Sequence, residues 1–167
     1  MAVEFALVLP LLAMLLLGIV TAGIGFAQAI SVANAVREGS RFGATSIPAS
    51  TAPPYTDLQW TNWAADVNSR TAAMLVDTSA GQATVCTQVW KNSTSVAAVP
   101  TQVLSSPACV VGSQNVAGGS APTPPSVDPN ACVVTVWALR QIRINALLIN
   151  MNPTVRRDSI ARYERSC

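Results

Sequence analysis

Residues 5–20 read FALVLPLLAMLLLGIV, and the whole of residues 5–36 contains no Asp, Glu, Lys or Arg. At ~1.5 Å per residue this charge-free run would extend roughly 48 Å as a helix, against a bilayer hydrocarbon core of about 30 Å. The segment therefore predicts one long helix able to span a membrane. A cleaved signal peptide has a shorter apolar core, about 7 to 15 residues, with basic residues before it and a small-residue cleavage site after it. Here no basic residue precedes the run, and the helical pattern continues beyond it. Pro10 removes one backbone hydrogen bond and predicts a kink near the start.

The composition of the rest agrees with an anchored, non-enzymatic chain. Of 167 residues, 50% are hydrophobic, 5% aromatic and 11% charged, where a soluble domain carries roughly 25% charge. The absence of histidine excludes Ser-His-Asp and Cys-His nucleophilic sites, zincin helices and His-liganded metals. A net charge of +2 is too small for a nucleic-acid footprint, so no nucleic-acid partner is expected. Asp57, Asp66, Asp77, Asp128 and Asp158 are scattered without a recurring pair, and no Gly-rich phosphate loop occurs. The chain is expected to be no enzyme and to hold no cofactor and no metal.

Within the apolar segment, Gly18, Ala22, Gly25, Ala29 and Ala33 recur at spacings of four, three, four and four. Small residues in such a row let helices approach closely in lipid. The Ala and Gly bias of a GC-rich coding sequence, visible also in nine Arg against one Lys, accounts for the same pattern without packing. Glu4 is the only charge in the first 36 positions. An acid at the positive end of a helix dipole is stable there with no further role. Because an acid costs several kcal/mol deep in lipid, it is also suited to pair with a cation of a neighbouring chain, such as a free amino terminus.

Beyond the apolar segment the helical pattern is expected to persist through Arg41, weakened by Gly39 and Gly43. SIPASTAPPY at 46–55 breaks it with three prolines. Trp60, Trp63, Ala64, Val67, Thr71 and Met74 recur at helical spacing, with Thr56 or Asp57 as cap, and predict a second, amphipathic helix over 58–76. Its tryptophans read as core residues. Alternation of β-branched residues predicts strands at 83–90, 133–139 and 155–163. Between the first two lies a long polar loop, 91–130, carrying prolines at 122, 124, 125 and 129. The fold class is thus α+β: a long amino-terminal helix over 1–45, a Pro-rich linker over 46–56, and a disulfide-bonded head over 57–167. The head should hold a three- to four-stranded antiparallel sheet, with the second helix or the upper part of the first covering one face.

Cys86, Cys109, Cys132 and Cys167 include no CxxC pair. An even count in a small anchored domain reads as two disulfides in an oxidising compartment, with four buried reduced thiols as the other reading. If the strands at 133–139 and 155–163 are antiparallel neighbours, the start of one lies beside the end of the other. That favours Cys132 with Cys167, leaving Cys86 with Cys109. Six arginines between Arg140 and Arg165 read as charged, solvated strand edges, with a surface for anionic lipid as the other reading. The triplet Asn92-Ser93-Thr94 matches a glycosylation acceptor.

MAVEFALVLPLL at 1–12, followed by AVREGSRFGA at 35–44, resembles the amino-terminal half of TadE-like proteins, pilin-like components of the tight-adherence (Tad/Flp, type IVc) pilus. RRDSIARYE at 156–164 is similar to the strand that ends many such domains. The resemblance implies a basic leader ending in Gly, removed by a prepilin peptidase, and a Glu followed by an aromatic at the fifth mature position. Glu4 and Phe5 match that pair. No Gly precedes Met1 and Glu4 stands one place early, so either one residue is missing from a processed chain or the start was assigned inside the leader. Arg37 and Arg41 alone would place the carboxy-terminal side in the cytoplasm. The cysteines argue for the outside, and a basic leader would resolve the conflict.

The resemblance further implies a minor pilin or pseudopilin for pilus assembly and adhesion, a single-pass protein of the cytoplasmic membrane with its carboxy-terminal domain outside, of the cell-surface pilus, or of both. Its implied partners are other pilins, Tad assembly proteins, the prepilin peptidase and membrane lipid, with Glu4 and Phe5 registering the subunit. The alternative is a membrane-anchored extracytoplasmic binding module that never enters a filament, its surface on the 91–130 loop.

Overall fold

The computed structural model describes residues 2–48, 53–75, 83–91, 101–104, 106–112, 116–124, 131–142, 144–146 and 149–164. Helix α1, Ala2–Thr45, is unbroken, with Pro10 inside it. It ends at Thr45, the close of the span expected for it and one turn past Arg41. Gly39 and Gly43, expected to weaken the helix, are instead points where the head packs closely against it. A Cβ at Gly39 would collide with Thr71 Oγ1, and one at Gly43 would lie 3.2 Å from Val134 and 3.3 Å from Trp63.

Helix α2, Asp57–Ala73, starts at Thr56, whose side chain accepts from the Gln59 backbone while the Gln59 side chain accepts from the Thr56 N–H at 2.8 Å. This reciprocal cap satisfies two otherwise orphaned donors and typically contributes about 1 kcal/mol. Trp60, Trp63, Ala64, Val67 and Thr71 are buried on its inner face. The helix stops short of the expected span: Met74 is its C-cap and is exposed, and Leu75 is buried instead.

Strands β1 (Thr84–Lys91), β2 (Thr101–Gln102), β3 (Ala108–Val110), β4 (Cys132–Gln141) and β7 (Thr154–Arg162) form one antiparallel sheet. Its order is β2-β1-β4-β7, with β3 also pairing with β1. The three long strands lie where the alternation placed them. The 91–130 region, expected as a loop without strands, contributes β2 and β3 to the outer side of β1. Strands this short carry too weak a periodic signal to be read from sequence. A separate ladder pairs β5 (Ile144–Ala146) with β6 (Ile149–Met151).

Both helices cover one face of the sheet. The core there joins Val32, Ala35 and Val36 of α1, Trp60, Trp63 and Val67 of α2, Val85 and Val89 of β1, Val134 and Val136 of β4, and Tyr163. Trp60 meets Tyr55, Trp63 and Tyr163 edge-on at centroid distances of 5.3, 5.4 and 5.7 Å. Such geometry aligns ring edges with ring faces and adds to simple burial. Ser46 ties the end of α1 to this cluster, accepting from Trp63 Nε1 at 2.7 Å while its carbonyl accepts from the Tyr163 hydroxyl at 3.1 Å.

On the opposite face a segment at 116–120 crosses three strands. Thr84 of β1 donates to the Val116 carbonyl at 2.6 Å, Trp137 Nε1 of β4 to Gly118 at 2.6 Å, and Arg156 of β7 to Ser120 at 2.7 Å. Thr84 and Arg156 both pair with Leu139, and the third donor, Trp137, lies two residues along β4 on the same face of the sheet. Beneath this strap Cys86 and Trp137 are fully buried.

Candidate membrane and assembly surface

Residues 5–20 of α1 are exposed all round the helix, including Phe5 at 69%. Apolar side chains on every face of a helix have no stable place in water and fit lipid or other apolar helices. Among the described residues α1 is the one helix long and apolar enough to cross a membrane. Burial begins with Thr21 and Gly25 and becomes complete at Val32. One helix thus has two surroundings: a free apolar half and a half that belongs to the core of the head.

The small-residue row spans both halves. Gly18 has nothing within 4 Å, and Ala22 is exposed. Gly25 faces Ile142, whose Cγ2 would lie 3.8 Å from a Cβ there, and Ala29 and Ala33 are half-buried. Continued by steps of three and four, the row reaches Val36, Ser40 and Gly43, all buried. At about 100° per residue these positions share one face, so from Gly25 onward the small residues serve contacts within the subunit. That continuation, with Gly39 and Gly43 at a spacing of four, was the signal in the sequence for where the head docks. Ser40 Oγ and Ser159 Oγ hydrogen-bond at 2.8 Å across this seam, and the Glu164 N–H donates to the Ala44 carbonyl at 3.2 Å.

Glu4 lies in the first turn of α1, next to exposed Phe5. Far from it, Cys86 and Cys109 are cross-strand partners of β1 and β3 joined by a disulfide, with Cα atoms 4.1 Å apart. Cys132 is also disulfide-bonded. The partner expected for it, Cys167, lies outside the described residues, while the underlying neighbourhood of β4 and β7 is present, with Val133 opposite Arg162. Of the carboxy-terminal arginines, Arg156, Arg157 and Arg162 are exposed on β7 and Arg140 is buried on β4. Arg143 and Arg165 lie outside the described residues.

Residues 1–41 match the family model of TadE-like proteins. The TadE-like segment therefore comprises the exposed apolar half of α1 and its first turns inside the head. It includes Glu4, Phe5 and the small-residue row, and ends before the sheet begins. The similarity noted at 156–164 lies outside it. No curated protein and no solved structure matches the chain.

Proposed function

We propose that this chain is a minor pilin or pseudopilin of a Tad (type IVc) pilus. Its amino-terminal helix holds the subunit in the cytoplasmic membrane before assembly and packs among other pilin helices afterward. The observation that carries this reading is the division of α1: residues 5–20 are apolar and exposed on every side, and the same helix continues as part of the head core. A rigid stem fused to a head is what a subunit needs if it is to move from lipid into a bundle of like helices without refolding. The TadE-like match over the stem supports the same assignment. The Cys86–Cys109 disulfide supports a head outside the cytoplasm.

In this reading the role is structural, and Glu4 registers an incoming subunit by pairing with the amino terminus of a neighbour. The partners are other pilins and Tad assembly proteins, with a prepilin peptidase acting on the precursor. The first test is mass spectrometry of the amino-terminal peptide from native cells, comparing membranes with filaments sheared from the surface. A trimmed terminus in the sheared fraction is expected. An untrimmed chain held in the membrane would instead establish an anchored binding module. Glu4→Ala should leave membrane insertion intact and abolish recovery in the sheared fraction; incorporation at the normal level would remove the registering role.

A further inference from the structure

Strand β7 forms one edge of the sheet: β4 pairs with its inner side, and among the described residues no strand pairs with its outer side. The Tyr163 N–H donates to the Cys132 carbonyl at 2.8 Å, so the odd-numbered residues of this segment turn their backbone groups toward β4. Backbone groups alternate along an antiparallel ladder, and Arg156, Asp158 and Ile160 therefore turn theirs to the open edge. The side chains of these three and of Arg162 lie on the sheet face that carries Thr135 and Trp137, and all four residues are exposed, Ile160 at 40%. Just past the strand the Glu164 N–H is taken by the Ala44 carbonyl, which closes the edge at that end.

Read at every second residue, this face runs Arg156, Asp158, Ile160, Arg162, with Glu164 just beyond it. The order positive, negative, apolar, positive, negative is its own complement when reversed. If two copies pair antiparallel about Ile160, Ile160 faces Ile160, Asp158 faces Arg162 on both sides of the centre, and Arg156 comes level with Glu164. On the other face Ser159 meets Ala161 and Arg157 meets Tyr163. A pair centred on Arg157, Asp158 or Arg162 sets that charge opposite its own copy; one centred on Ser159 sets Arg156 opposite Arg162, and one centred on Ala161 sets Asp158 opposite Glu164. Like charges directly opposite are destabilising, so of these registers only the one centred on Ile160 escapes the penalty. A guanidinium offers several donors, so Arg156 and Arg162 can take these carboxylates beside the contacts they make within the subunit.

We infer that the open edge of β7 is a contact between two copies of this chain, taking β7 of the second copy in the antiparallel register centred on Ile160. The order of charges along the edge commits it to this occupant, because the same surface complements itself, as a two-fold interface requires. The direction of the strand then fixes how the second copy is anchored. Within a subunit β7 runs the same way as α1, since Ser159 meets Ser40 and the Glu164 N–H meets the Ala44 carbonyl. Antiparallel β7 strands therefore carry antiparallel stems, which leave the pair in opposite directions. Two copies side by side in one membrane cannot join in this way, whereas copies on two facing surfaces can. The contact makes the head an adhesive element between like surfaces, and in this respect it rests on α1 being the membrane stem, as proposed above.

The test uses the full chain in phosphatidylcholine vesicles, with flotation to show that the chain is inserted and light scattering to follow clustering. Vesicles carrying the parent chain are expected to cluster. Asp158→Arg and Arg162→Asp should each abolish clustering, because each sets like charges opposite one another, and the two changes together in one chain should restore it. Asp66→Arg, the same change of charge at an exposed site on α2, should cluster like the parent. Vesicles that stay dispersed with the parent chain inserted overturn the contact and leave the stem standing, as does clustering that survives Asp158→Arg. Equal losses with Asp66→Arg and Asp158→Arg, or no recovery in the double variant, assign the effect to charge in general and equally overturn it. A chain that fails to float with the vesicles removes the stem, and the contact between facing surfaces with it.

Discussion

Gly39 of α1 faces Thr71 of α2 so closely that a Cβ at position 39 would run into the threonine Oγ1. That hydroxyl is itself held by donating to the Val67 carbonyl at 2.7 Å, so it has little freedom to withdraw. Gly39→Ala is therefore expected to destabilise the head by about 1–3 kcal/mol through overpacking, despite alanine's better helix propensity. Gly18→Ala, with open space around it, should leave the melting temperature unchanged or slightly higher. Thermal unfolding of the full chain in detergent measures both, and equal melting temperatures for the two variants would refute the close approach.

Asn68 is fully buried and bridges three elements. Its amide donates to the Ala108 carbonyl of β3 at 2.9 Å, and its carbonyl oxygen accepts from Thr87 of β1 at 2.7 Å. Asn68→Ala would orphan both partners, each costing about 1–3 kcal/mol when left buried. Chemical denaturation should show the loss. Amide exchange should then rise first in β3, whose only strand partner among the described residues is β1.

Reducing or replacing the Cys86–Cys109 bridge opens a closed loop of 23 residues' separation. The expected cost is about 3 kcal/mol by loop-closure entropy. Because the bridge sits beneath the 116–120 strap, the paired change of both cysteines to serine should also loosen that segment, read as faster proteolysis there before the sheet unfolds. Protease resistance equal to the parent would show that the strap holds without it.

The strap itself depends on donors from three strands. Trp137→Phe keeps a buried aromatic ring but loses the rest of the indole and withdraws the bond to the Gly118 carbonyl. The lost bond costs about 1 kcal/mol, and the void left by the smaller ring adds to it. Arg156→Ala should cost less, since its bond to Ser120 is exposed. A larger effect at 156 than at 137 would contradict this ordering.

The long elements were legible because each carries its period many times over. The charge-free run to Val36 announces α1, the Trp60–Trp63–Val67 stripe announces α2, and the alternation around Val85 and Val134 announces the central strands. Strands β2 and β3 were illegible because two or three residues hold no period, and their existence depends on β1 presenting a free edge. The end of α2 was misjudged because Met74 fits the stripe chemically; the turn there exposes it and turns Leu75 inward. At the candidate surface, position and residue type single out Glu4, Phe5 and the small-residue row as candidates. Beyond the spacing of Gly39 and Gly43, what those glycines and the strap donors meet was not legible, because it is defined by what lies opposite in space.

Strands β4 and β7 lie lengthwise beside α1, joined to it from Gly25–Ile142 up to Ala44–Glu164. A pull along the helix axis is therefore taken by all these lateral contacts together, as shear, instead of opening them one after another. The stem and the head behave as parts of one tension-bearing rod: load entering at the apolar end is spread over the full height of the sheet before any single contact has to yield.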